Sequence, residues 1–237
     1  MPFSQVHPPN RRAFTLVEIL VALAIVGLVG TAVLEIMRQS AIMAAKSTSI
    51  ATTENESRKI LTKLRRQLFN AVSVPTLLEA DFSSVSEPTP SASTEGVGGM
   101  GISFYIRPLG EVVPADEFNI ASGRFDRVAY MQRGNRLEFY PDYDGPSDPG
   151  DAVLLSTSMV PPTVTTAEPG YHMPFRYILD LNSEPLQFSR DAIELNLRFI
   201  PSESGRRLGS LSSQGEQNFN NFFQMKTIVW LRNGGLL

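Results

Sequence analysis

The sequence predicts an α+β fold in which one long N-terminal helix packs on an antiparallel β-sheet. Three observations carry that expectation. An apolar run from Phe14 to Leu34 continues into an apolar seam with no proline before Pro75. Beyond Pro75 the helical period gives way to strict alternation, with Ile102, Phe104 and Ile106 set against Ser103, Tyr105 and Arg107. The chain has 237 residues, 42% hydrophobic and 19% charged, enough to bury a sizeable core.

Taken in order, the chain begins with a polar stretch, MPFSQVHPPN, that ends on Arg11 and Arg12. The run FTLVEILVALAIVGLVGTAVL follows, with Glu18 as its one charge. As a helix it extends roughly 32 Å, enough to cross a hydrocarbon core of about 30 Å. The arginines ahead of it predict a cytoplasmic N-terminus and an exported C-terminal bulk. A secretory signal peptide cut after Ala24 leaves a short apolar region with a glutamate in its middle, and a twin-arginine signal does not explain an apolar run of this length. An uncleaved anchor explains everything except Glu18. A carboxylate one turn inside a lipid-facing helix costs on the order of 2.5–3.5 kcal/mol, so it calls for a partner or must snorkel toward headgroups.

The segment Arg11-Arg12-Ala13-Phe14-Thr15-Leu16-Val17-Glu18, followed by an apolar helix, resembles the processing site of type IV prepilins and type II secretion pseudopilins. That resemblance implies a filament subunit of the pilin-like fold. A prepilin peptidase would cut between Ala13 and Phe14, Phe14 would be N-methylated, and Glu18 would guide assembly with other pilins or pseudopilins. Ala13 departs from the usual glycine before the cut. The physics agrees with the transfer, because a cut before Phe14 creates a cationic amine at the edge of an apolar helix. A neighbouring subunit's carboxylate would neutralise it and set the axial register. The implied plan is 1–13 as a cleaved leader, 14–34 as a transmembrane and assembly helix, 35–74 as its amphipathic continuation and 75–237 as a periplasmic β-rich domain. The implied location is the bacterial inner membrane, crossed once, and after assembly a periplasmic or surface filament.

Ile36, Met43, Ile50, Ser57, Leu64 and Ala71 recur every seventh residue, with Leu61 and Leu68 between, which predicts an apolar seam covered by neighbouring helices and by the subunit's own sheet. Adhesive-filament pilins often bend their helix at a proline that here is Glu35, so the resemblance points to a minor or specialised subunit. Strands are expected at Ile102–Arg107, Phe175–Leu179, Ile193–Phe199 and Lys226–Leu231. A hairpin is expected from Val128–Gln132 to Arg136–Tyr140 through Arg133-Gly134-Asn135. The segments Val85–Gly101, Pro161–Pro174 and Ser202–Gln217 read as long exposed loops. The size, Leu64-Arg65-Arg66-Gln67-Leu68 and Val128-Ala129-Tyr130 resemble the J-type minor pseudopilins and the W-type minor pilins.

Little else points to chemistry. The net charge of −3 disfavours nucleic acid, and the absence of cysteine excludes thiolate chemistry and disulfides. His172 reads as a surface loop residue and His7 precedes the cut, so no enzyme is expected. Gly96–Gly101 lacks the lysine of a phosphate loop and reads as a flexible loop, and Trp230 as core or edge strand. Asp142, Asp144, Asp148 and Asp151 gather carboxylates suited to calcium, but Pro146 and Ser147 break the EF-hand order and an acidic surface loop is the expectation. Two other functions remain open at this point: a membrane-anchored periplasmic binding module that never polymerises, and an anchored hydrolase, which the residue inventory disfavours.

Overall fold

A computed structural model describes residues 15–85, 98–108, 125–162, 172–180, 187–201 and 222–231. The expected α+β arrangement is present, with one helix, α1 (Leu16–Phe69), ahead of nine strands among the described residues. By its contacts the chain divides into two compact units, Met1–Thr48 and Ser49–Leu237. The first contains the N-terminal part of α1, whose Leu, Val and Ile side chains between 16 and 34 are 46 to 75% exposed.

The helix stops short of Pro75. Asn70 N–H is shared between the Arg66 and Gln67 carbonyls at 3.2 and 3.1 Å, and Ala71 N–H tightens onto Leu68 O at 3.0 Å. The next residues are claimed by the sheet: Val72 N–H donates to Tyr105 O at 2.9 Å, and Ser73 Oγ accepts from Tyr105 N–H at 3.0 Å. Backbone partners outside the helix therefore end it before proline does.

The second unit holds two antiparallel sheets where one was expected. The first contains β1 (Thr76–Leu78), β3 (Gly101–Ile106), β4 (Asp126–Arg133), β5 (Arg136–Tyr140) and β6 (Val153–Ser156), in that order. The second runs β2 (Gly98–Gly99), β7 (Phe175–Asp180), β8 (Gln187–Phe199), β9 (Phe223–Trp230). Every expected strand is found, and the hairpin closes at Arg133↔Arg136 through Gly134, whose φ of 56° suits glycine. The short strands β1, β2 and β6 were not anticipated. Gly98 and Gly99, read as part of a flexible loop, instead pair with Arg176 and Phe175. A Cβ on Gly99 would lie 2.9 Å from Leu78 O and 3.0 Å from Leu77 Cβ, so glycine permits β2 to lie against β1. Residues 86–97, 163–171 and 202–221, which make up most of the expected loops, lie outside the described residues.

Inward faces meet residues 49–69 of α1. Ile60, Leu64 and Leu68 share one core with Leu77, Ile102, Phe104, Val128, Tyr130, Phe175, Ile193, Leu195 and Leu197. The buried stripe of the helix is Ser49, Thr53, Ser57, Ile60, Leu64 and Leu68. Ser57, Leu64, Leu68 and Ala71 are buried as the seam predicts, but Ile50 is 40% exposed and Ser49 and Thr53 face inward in its place. Their burial is satisfied locally: Thr53 Oγ1 donates to Ser49 O at 3.0 Å and Ser57 Oγ to Glu54 O at 2.8 Å. Steps of four and three residues follow the straight helix, whereas a sevenfold repeat drifts off the buried side.

Tyr177 joins the two sheets. Its Oη donates to Pro75 O at 2.8 Å and accepts from Leu77 N–H at 3.3 Å, both bonds being buried. Tyr177→Phe would strand a buried donor beside β1, and unfolding in urea is expected to report a loss of about 1–3 kcal/mol.

Candidate functional site

The residue that begins α1 decides what Glu18 touches. Thr15 is the N-cap: its Oγ1 accepts from Glu18 N–H at 3.3 Å. Glu18 Oε2 accepts in return from Thr15 N–H at 2.9 Å and from Thr15 Oγ1 at 3.1 Å. This reciprocal capping box satisfies donors that a helix start leaves unpaired, and it places a carboxylate at the positive end of the helix dipole. Glu18 is exposed, and these bonds use Oε2 only. The carboxylate is therefore held against Thr15, the residue that follows Phe14 in sequence, and among the described residues its other oxygen is left for an outside donor. Pairing with Thr15 was not anticipated, although a threonine three residues before a glutamate at the head of an apolar run is a capping signature. Arg11, Arg12, Ala13 and Phe14 lie outside the described residues.

Beyond this cap the helix surface is predominantly apolar. An 18-residue window of α1 reaches a mean hydropathy of 2.5 with none of it buried, long and apolar enough to cross a membrane. Surface of that kind must be covered by lipid or by other apolar helices.

The other candidates fare differently. Asp142, Asp144, Asp148 and Asp151 are all exposed, and Asp148 Oδ1 accepts from Gly150 N–H at 3.3 Å. Among the described residues no group of three or more His, Asp or Glu is placed to hold a metal ion, so these four do not converge on a calcium site. The loop is anchored by Tyr143, buried beside Phe82, with the Arg127 guanidinium 4.8 Å from its ring centre. His172 is not at the surface: it is 1% exposed, because the chain there already lies along β8 and carries its side chain under cover. Trp230 sits on the last strand of its sheet and is 66% exposed. The motifs Leu64–Leu68 and Val128–Tyr130, far apart in sequence, meet in the core, where Tyr130 Oη donates to Gln67 Oε1.

An exposed apolar helix with a capped carboxylate at its start, ahead of an α+β head, defines a class of protein consistent with membrane anchoring through its N-terminus. The comparison with protein families makes this more specific: residues 8–34 match the Prokaryotic N-terminal methylation motif, the class III leader of type IV pilins and pseudopilins. The chain thus carries the leader of a pilin- or pseudopilin-like processed subunit, and the proteins that bear this motif are structural subunits, not enzymes. The motif implies processing by prepilin peptidase and assembly with other pilins. No curated protein and no solved structure matches the chain.

Proposed function

We propose that this protein is a minor pseudopilin or pilin-like structural subunit of a type II secretion or type IV pilus filament. Residues 1–13 are removed by prepilin peptidase between Ala13 and Phe14, with Arg11 and Arg12 holding the leader on the cytoplasmic side. Phe14 is then methylated. Residues 14–34 cross the inner membrane once and later pack into the filament, 35–74 continue that helix, and 75–237 stand in the periplasm. The observation that carries this reading is the methylation motif over residues 8–34, within which Thr15 and Glu18 form the helix cap. In this mechanism Glu18 keeps its cap through Oε2 and takes the cationic amine of a neighbouring Phe14 on its other oxygen, a charge pair that low-dielectric surroundings strengthen.

The test is the N-terminal sequence and mass of the protein purified from bacterial membranes, together with filament incorporation of Glu18→Ala. The expected result is a mature chain beginning at methylated Phe14, and a Glu18→Ala variant that is still cut but enters filaments at least tenfold less. An intact Met1 in wild-type protein would leave a membrane-anchored module that does not polymerise. Normal incorporation of Glu18→Ala would remove the register role from that carboxylate.

A further inference from the structure

Among the described residues of the second unit, the exposed large apolar side chains other than Ile50 and Phe69 of α1 lie on or beside two strands, each the last of its sheet: Val153 and Leu154 on β6, and Ile228 and Trp230 on β9, with Phe222 just before it. The two surfaces differ in shape and in charge.

Beside β6 lies a groove of about 370 Å³, walled by Glu56, Lys59 and Ile60 of α1 and by Leu154 and Leu155. Its volume falls within the range of small-ligand pockets. The chain leading into β6 is acidic, with Asp142, Asp144, Asp148 and Asp151 all exposed. The groove also has the chemistry of an indole site. One helical turn beyond Lys59, Lys63 Nζ already stands 4.0 Å from the centre of the Phe139 ring. Lys59 and Glu56 both line the groove, a cation and a carboxylate of the kinds that suit an indole face and its ring N–H.

The β9 surface is the converse, a projecting one. Register with β8 runs from Ala192↔Trp230 to Phe199↔Phe223 without a shift, so no bulge turns this edge away, and β9 contains no proline. Cross-strand partners place Arg176, Glu194, Arg198 and Lys226 on the outward face with Ile228 and Trp230. Among the described residues that is three cations to one carboxylate, Glu194, whose Oε2 lies 3.0 Å from Lys226 Nζ. Four strand residues, about 13 Å, separate Lys226 from Trp230, and Asp151 lies three residues before Leu154.

We propose that the head of one copy docks on the head of the next, Trp230 entering the groove of a second copy while Lys226 lies against its Asp148 and Asp151. Knob and groove are different surfaces, so the contact is heterologous, the kind through which copies add head to tail. This rests on the proposed role as an assembling subunit and names the surface through which the heads meet.

The chain has no cysteine, which makes site-specific cross-linking clean. Full-length Ile228→Cys and Val153→Cys copies carrying different tags are co-expressed in bacterial membranes and oxidised, and the N-terminus of the same preparation is sequenced. The expected product is a mixed Ile228→Cys–Val153→Cys dimer, reduced at least tenfold by Trp230→Ala, an exposed position whose truncation leaves the core intact. Asp151→Lys in the Val153→Cys copy should weaken the product severalfold, and Lys226→Asp in the other copy should restore it. Same-site dimers in place of mixed ones, indifference to Trp230→Ala, or no dimer at all would each overturn the proposal. A mature Phe14 terminus without the mixed dimer removes this inference and spares the filament reading. The mixed dimer on an unprocessed chain does the reverse.

Discussion

Leu64→Ala is expected to cost about 2–5 kcal/mol of the second unit's stability, read as a fall in the urea midpoint. Leu64 is fully buried where α1 meets both sheets, among Leu68, Val128, Tyr130, Leu195 and Leu197. Shortening it removes apolar contact and leaves a hole that helix and strands, held by their own hydrogen bonds, refill only in part. Against a total of 5–15 kcal/mol typical of a domain, that loss is large. Ile50→Ala is the control. It lies on the sevenfold seam with Leu64 but is 40% exposed, and its truncation should change stability by no more than about 0.5 kcal/mol. Equal losses at the two positions would mean that the seam, not the observed stripe, faces the sheets.

The second large effect is acid sensitivity from His172. Burial, and then the charges of Arg198 on β8 and Arg176 on β7, push the His172 imidazole down from 6.5 to about 4. Among the described residues neither ring nitrogen has a hydrogen-bond partner to compensate a proton there. In the unfolded chain His172 takes up a proton as pH falls below 6.5, whereas the folded chain does so only near 4. The unfolded state thus binds more protons across that window, and folding stability falls as pH drops through it. The interval corresponds to on the order of 3 kcal/mol, absent above pH 6.5 and fully expressed below about 4. Urea unfolding at pH 7 and pH 4.5 measures it: His172→Gln should lose markedly less stability between the two than wild type. Parallel losses would remove the imidazole from the account, since the carboxylates common to both chains titrate alike.

Features written in contiguous residues were legible. The Phe14–Leu34 run, the alternation at Ile102–Ile106 and Ile193–Phe199, and the glycine turn at Gly134 each carry their period or backbone preference within a few positions, and helix and strands follow. The motif over residues 8–34 was legible for the same reason. Strands β1, β2 and β6 were not, because two to four residues are too few to show a period and they exist only where a neighbour pairs with them. Gly98 and Gly99 look like linker until β7 supplies hydrogen bonds.

By itself, then, the sequence determined an apolar N-terminal helix with a glutamate near its start, a cysteine-free chain and an α+β order of elements, because composition and local period specify these without any long-range contact. Only the tertiary structure decided which side of α1 is buried, that the strands divide into two sheets tied by Tyr177, that His172 lies covered beside two arginines, and that Trp230 projects while a groove opens beside Leu154. Those outcomes depend on residues tens of positions apart arriving at the same place, and side-chain burial is a property of that arrival.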